Sequence, residues 1–410
     1  MKKFFFTLFL FVFFGAGYSS ACTIAVITGK ATKNGRPLLW KNRDTHALNN
    51  KIMIFHDGKY PYAGLVNSGD KTGKSIWIGY NSKGFAIMNS VSYNLNGDSI
   101  KNGGGEGRLM KKALQTCATV DDFEKLLHSL PQPTHMESNF GVIDAQGGAA
   151  IFEVGNFVIN KLDANDPKIA PEGYIIHANY SFTGRYGEGA GFIRYLNTQP
   201  VFEQAVRNGG LTPKIVLQGA ARNLKHSLTG VNLWDDANLP ANHPKMVWFK
   251  DFVPRISSAS SCVVEGVKPG ADPAFTTMWT VLGWPLASVA VPVFLTKKDL
   301  LPKILQYDKK LDDAPLCHLA LTLKKRCFTY HWGHSAPYYM NVNALVNADK
   351  TGILQVLQPL ENRLFSQSHN VIAKWEKAGK INPEELRQFY DQIDKEVLSY
   401  YHTRFGLTTP

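Results

Sequence analysis

The residue of this chain best suited to covalent chemistry is Cys22, at the head of Cys22-Thr23-Ile24-Ala25. Before it stand Lys2 and Lys3, an apolar run from Phe4 to Phe14, and the small tripeptide Ser19-Ser20-Ala21. These are the three parts of a secretory signal, residues 1–21, whose removal would make Cys22 the new N-terminus. The apolar run is too short to span a bilayer as a helix. An N-terminal cysteine joins nucleophile and base in one residue, since an α-amine of pKa about 7.7–8.0 lies close to a thiol of about 8.5. The thiolate can attack a carbonyl carbon while the amine takes and returns the proton. Two other readings compete: an acylated lipoprotein cysteine, although Ser19 stands where such signals want a branched aliphatic, and a buried structural cysteine.

Further groups become useful only if the chain brings them to Cys22. Ile24 to Thr28 and Pro37 to Trp40 are β-type apolar runs with Asn34-Gly35 between them, the strongest short hairpin signal. That hairpin returns Lys41-Asn42-Arg43-Asp44 to the cysteine end. A carboxylate at Asp44 can hold or orient the amine, and Lys41 or Arg43 would favour the thiolate; a solvated charge cluster at a strand end is the plainer reading. Asn89 and Asn179 each close an apolar run; alone, each is a turn or capping residue.

Taken in order, these residues resemble a known group. The opening from Cys22 to Asp44 is similar to that of the N-terminal-nucleophile hydrolases of the acyl-CoA:6-aminopenicillanate acyltransferase and choloylglycine hydrolase group, and the dipeptidase branch of that superfamily opens similarly. Gly79-Tyr80-Asn81-Ser82-Lys83-Gly84 leading to Asn89 resembles the group's glycine-asparagine turn and oxyanion asparagine, from which Asn81 and Ser90 must be told apart. Ser138 to Asp144 followed by Ala150 to Glu153 resembles scaffold strands of the group, and Ile176-His177-Ala178-Asn179 its second oxyanion motif. Gly191-Phe192-Ile193-Arg194 resembles the helix that supplies an active-site arginine in the choloylglycine branch. Where that branch places arginine three residues before the aspartate, this chain has Lys41, with Arg43 nearby, so either can supply the positive charge. The resemblance implies an α+β, four-layer αββα sandwich of two mostly antiparallel sheets, with Cys22, Lys41, Arg43, Asp44, Asn89, Asn179 and Arg194 at the site. It implies an amidohydrolase for linear carbon–nitrogen bonds of N-acylated small molecules, with acyl transfer as the same chemistry, and no metal or organic cofactor. A dipeptidase and a non-catalytic lipoprotein acylated at Cys22 are the alternatives.

Around these residues the chain must build a large fold. Loss of residues 1–21 leaves 389, read as one domain from 22 to 410, and 44% hydrophobic residues suffice for a sizeable core. Such a chain would be periplasmic or secreted, with no stable membrane insertion; homo-oligomer formation is left open. The net charge of +12, or +10 without Lys2 and Lys3, favours anionic substrates or surfaces, while dispersed Lys and Arg and the lack of a recognisable module argue against nucleic acid. Cys117, Cys262, Cys317 and Cys327 could form one or two disulfides, with Cys317 and Cys327 nearest in sequence.

Strands are expected at Ile52–Phe55, Ser75–Gly79, Phe85–Ser92, Phe140–Ile143, Ala150–Val154 and Tyr174–His177, with more between Met278 and Phe294. Helices are expected from Gly107, after a Thr119 cap, around Gly191–Leu196 and Pro213–Asn223, and in a terminal segment of about 361–404 split at Asn382-Pro383. Residues between Pro244 and Pro273 read as a Pro- and Gly-rich connection. Gly69 to Ser75 imitates a phosphate loop one residue short and reads as a polar turn; Gly103-Gly104-Gly105 reads as a loop bordering the site. Cys327, His331 and His334 lack a fourth metal ligand and read as packing, as do Trp279 and Trp284.

Overall fold

The structure is a computed structural model that describes residues 21–409. The expected signal at 1–21 therefore lies, apart from Ala21, outside the described residues. In chain order the strands are β1 (Thr23–Ile27), β2 (Leu38–Asp44), β3 (Asn50–Phe55), β4 (Tyr62–Asn67), β5 (Ile78–Asn81), β6 (Ala86–Val91), β7 (Ser138–Ile143), β8 (Ala149–Val154), β9 (Ile159–Asp163), β10 (Tyr174–His177), β11 (Met246–Trp248), β12 (Ser258–Glu265), β13 (Thr277–Leu282), β14 (Val291–Phe294) and β15 (Tyr339–Asn341). The helices are α1 (Glu106–Thr116), α2 (Val120–His128), α3 (Phe192–Arg207), α4 (Pro315–Cys327), α5 (Ile353–Ala378) and α6 (Pro383–Phe405).

Two antiparallel sheets carry the fold: a six-stranded sheet in the order β10-β1-β2-β12-β13-β14 and a seven-stranded sheet in which β3 to β9 follow one another as a meander. The strands β1 and β2 pack face to face on β6, β7 and β8. The outer face of the seven-stranded sheet is covered by α1 and α2, whose Met110, Leu114, Phe123 and Leu127 join Phe140 and Phe152 in a second core. On the other side, α3 lies against β10, and α4 and α5 against the far strands and turns of the six-stranded sheet. The result is the α+β, four-layer αββα sandwich of two mostly antiparallel sheets that the sequence leads one to expect.

Local sequence explains the elements nearest the site. Gly35 adopts φ +73° in the β1–β2 connection, and the Arg36 amide donates to Asn34 Oδ1 at 3.1 Å, so the Asn-Gly signal is spent on a turn that brings β2 back along β1. Thr119 caps α2 in a reciprocal box with Asp122. Each residue of β2, Leu38-Leu39-Trp40-Lys41-Asn42-Arg43-Asp44, is buried, although the last four are polar or charged. Burial of four such groups in a row is costly unless each finds partners, and that concentration marks the strand's end as a built site.

The structure departs from the sequence reading at several places. The strands β4 and β12 and the helix α4 lie where no element was expected, β12 inside the supposed connection between Pro244 and Pro273. Helix α5 begins at Ile353 rather than near 361, and it contains Pro359. Pro213–Asn223 folds around a π-helical turn at Ile215–Ala220. The disulfide expectation is corrected: all five cysteines are free thiols. Cys317 and Cys327 both lie on α4, ten residues apart, roughly 15 Å along a helix axis and beyond the reach of a disulfide.

Candidate active site

Cys22 sits at the start of β1 and is 6% exposed. The register pairs Thr23 with Asn42 and Ile24 with Lys41, so the next pair outward sets Cys22 beside Arg43. Its backbone is held from the α3 side. The Cys22 N–H donates to Asn179 Oδ1 at 2.9 Å, and Arg194 donates to the Cys22 carbonyl at 2.5 Å, to Thr23 Oγ1 at 2.8 Å and to Asn179 Oδ1 at 2.6 Å. That nitrogen is a peptide N–H in the full chain and stands in for the α-amine of a chain starting at Cys22. Asn179 follows β10 directly, and Arg194 sits in the first turn of α3, so two elements converge on one residue.

The two faces of β2 differ in charge. On the face toward the seven-stranded sheet, Lys41 donates to Asn89 Oδ1 at 2.7 Å and to the Trp77 carbonyl at 2.9 Å. Arg43 donates to Asn50 Oδ1 at 2.5 Å and Asn67 Oδ1 at 2.9 Å, with its guanidinium 4.5 Å from the Trp77 ring centre. Burial pushes Lys41 down to about 8, against the attraction of the Cys22 thiolate. Burial likewise lowers Arg43 to about 10, opposed by the same thiolate. Both cations lie on the face of β2 that Cys22, as the cross-strand neighbour of Arg43, shares.

On the opposite face Ser258 donates to Asp44 Oδ1 at 2.5 Å, Arg255 lies 3.9 Å from Oδ2, and Oδ2 has no hydrogen-bond partner among the described residues. Burial raises the Asp44 pKa, and the charges of Arg255, Arg194 and Lys324 pull it back. Continuing the β1–β2 count sets Asp44 opposite residue 21, one position outside Cys22. A buried carboxylate oxygen without a partner is available to an ammonium group.

The asparagines are placed with less freedom than the sequence suggested. Asn179 directs one amide N–H to the Val91 carbonyl at 2.8 Å, and Asn89 directs one to Ser138 Oγ at 3.1 Å; each amide has a second N–H. Asn81 and Ser90 are separated from this role by their bonds. Asn81 closes the β5–β6 turn, donating to the Leu114 and Cys117 carbonyls, and Ser90 donates to the Ala178 carbonyl. The other thiols are pushed up by burial, Cys117 to about 11 and Cys262 and Cys327 to about 12, which keeps them protonated. Sequence reasoning missed Thr23, Trp77, Arg255 and Ser258. The first adjoins Cys22, but Ser258 and Arg255 lie more than two hundred residues away, and no local signal ties them to Asp44. Glu153, expected as scaffold, accepts from His177 Nε2 at 2.8 Å and from the Thr183 amide at 3.0 Å, which fixes the strand end that presents Asn179.

Among curated proteins, no significant match is found. Among solved structures, the chain is similar to a conjugated bile acid hydrolase from Clostridium perfringens at 12% identity and TM-score 0.41, covering 68% of this chain and 94% of that one. It is similar to penicillin V acylase from Agrobacterium tumefaciens at 13% identity and TM-score 0.35, covering 67% and 86%. A third is the Caenorhabditis elegans N-acylethanolamine-hydrolyzing acid amidase ortholog, at 13% identity and TM-score 0.35, covering 45% and 79%. The profile that matches by sequence is that of acyl-coenzyme A:6-aminopenicillanic acid acyl-transferase, over residues 30–193. That segment is less than half of the chain and holds β2, Asn89 and Asn179, so over this stretch the chain is similar to that family.

Proposed function

We propose that the exported chain, once it begins at Cys22, hydrolyses a linear amide of an N-acylated small molecule. The observation that carries this reading is the Asn179–Arg194 pair, which fixes both backbone groups of Cys22 while Lys41 and Arg43 lie on its side-chain side. The α-amine takes the thiol proton and the thiolate attacks the amide carbon. The second N–H groups of Asn89 and Asn179 are the candidate donors to the oxyanion. Collapse expels the amine, which leaves with the proton, and a thioester remains on Cys22. Water then attacks the thioester, giving the carboxylic acid and free thiol; an amine in place of water gives acyl transfer. Asp44, with its unpartnered Oδ2, orients the ammonium form.

Intact mass and N-terminal sequence of the exported protein, with and without a thiol-alkylating reagent, test the reading first. A chain starting at unmodified, readily alkylated Cys22 with turnover of N-acyl amides is expected. A lipidated Cys22 would overturn it, and a strict need for a free substrate amino group would redirect it to a dipeptidase.

A further inference from the structure

A cavity of about 580 Å³ opens beyond the Asp44 end of β2. Its walls include Leu48, Ile256, Leu321 and Phe328, all apolar. The charged side chains that line it are Lys324 and Lys325, beside the imidazoles of His318 and His331, and no carboxylate lines it. Lys324 is 8% exposed, and the one acceptor its ammonium reaches among the described residues is the Ile256 carbonyl, so most of its donor capacity is unspent. The Asp44 carboxylate attracts this ammonium through its charge but makes no hydrogen bond to it, so a buried, under-bonded cation remains in an apolar recess, where an anion that accepts its free N–H groups would offset the cost.

The cavity is tied to the catalytic end by direct contacts. Leu48 and Asn49 follow Asp44 in the chain, and Asn50 connects them to β2: its side chain accepts from Arg43, donates to the Leu48 carbonyl at 2.7 Å, and its amide meets Cys317 Sγ on α4 at 3.4 Å. His318, Leu321 and Lys324 come from that same helix.

We propose that this cavity is a binding site for an apolar carboxylate, with Lys324 as its buried anchor and Lys325 at its rim. The occupant is the carboxylate-bearing part of an N-acyl amino acid substrate or the carboxylic acid that the reaction releases. This identity rests on the amidohydrolase reading, whereas the binding itself does not. Burial lowers Lys324 to about 8, so it is still largely protonated at neutral pH and able to pair with an anion.

Calorimetric binding to the Cys22→Ala protein, which cannot turn over, tests this with N-benzoylglycine, its neutral methylamide and benzoate. At least one anion should bind about tenfold or more tighter than the neutral compound, as expected for a charge-assisted bond. Lys324→Met should abolish that preference, and Leu321→Trp, which fills the cavity, should weaken anion binding without lowering the melting temperature. Should Lys324→Met fail to fold, Lys325→Gln with Leu321→Trp decides. Tight N-benzoylglycine with weak benzoate assigns the site to substrate; the reverse assigns it to product. Equal binding of neutral and anionic compounds, or anion binding untouched by the variants, overturns the proposal. Binding without turnover of any N-acyl amide by the unmutated enzyme keeps the cavity and removes the hydrolase reading.

Discussion

The two faces of β2 divide the work around Cys22. Toward the seven-stranded sheet stand Lys41 and Arg43, each bonded to residues of the first hundred positions; toward the helices stand Asn42 and Asp44, held by Val253, Arg255 and Ser258. Strand alternation produces this split from four consecutive residues. In the proposed mechanism the cationic face addresses the thiol and the acidic face the amine, so one strand would tune both halves of an N-terminal cysteine from opposite sides.

Substitutions can break or sharpen this contrast, in descending size of effect. Cys22→Ser should nearly abolish turnover with an unchanged melting curve; wild-type rates in that variant would remove the mechanism. Asn179→Ala, which frees the Cys22 nitrogen and one candidate oxyanion donor, should lower kcat by about 10²–10³. Asp44→Asn should cost about 10²-fold in kcat, as removal of a group acting through proton transfer does. It should also raise stability, because it relieves a buried carboxylate with an unpartnered oxygen. Activity and melting temperature would then move in opposite directions. On the other face, Lys41→Met should leave a smaller defect and change a pH profile. Because folded Lys41 titrates at about 8 and the unfolded group near 10.5, the unfolded chain binds more protons between those values and stability rises with pH across that window. Lys324 falls to a similar value and adds a rise of its own, so Lys41→Met should flatten the curve in part. Ser258→Ala should be the mildest, about tenfold or less in kcat, by loss of one hydrogen bond to Asp44.

What could be read from sequence follows the range of the interactions. The β1–β2 hairpin, the Thr119 cap and strand β10 rest on neighbours in sequence, and Asn-Gly, Thr-x-x-Asp and β-branched runs announce them. The positions of Lys41 and Arg43 on one face follow from alternation along a strand already expected. Strand β12 was invisible because Ser258-Ala259-Ser260-Ser261 has the composition of a loop, and only its place between β2 and β13 makes it a buried strand. Helix α4 was missed for a related reason: Lys324 and Arg326 interrupt its apolar pattern, yet Lys324 turns inward. Nothing local distinguishes a lysine that lines a cavity from one that faces water.

The pairing of β2 with β12 also governs the order in which the molecule becomes competent. Strands β3 to β9 each pair with the next to be synthesised, so that sheet can close as it emerges. The nucleophile is among the first described residues made, whereas the hydroxyl and guanidinium beside Asp44 arrive only with residues 255–258. A chain interrupted before that point carries the thiol without its acidic half. If Cys22 is the nucleophile proposed above, late closure of this one pairing would separate the making of a reactive cysteine from its arming.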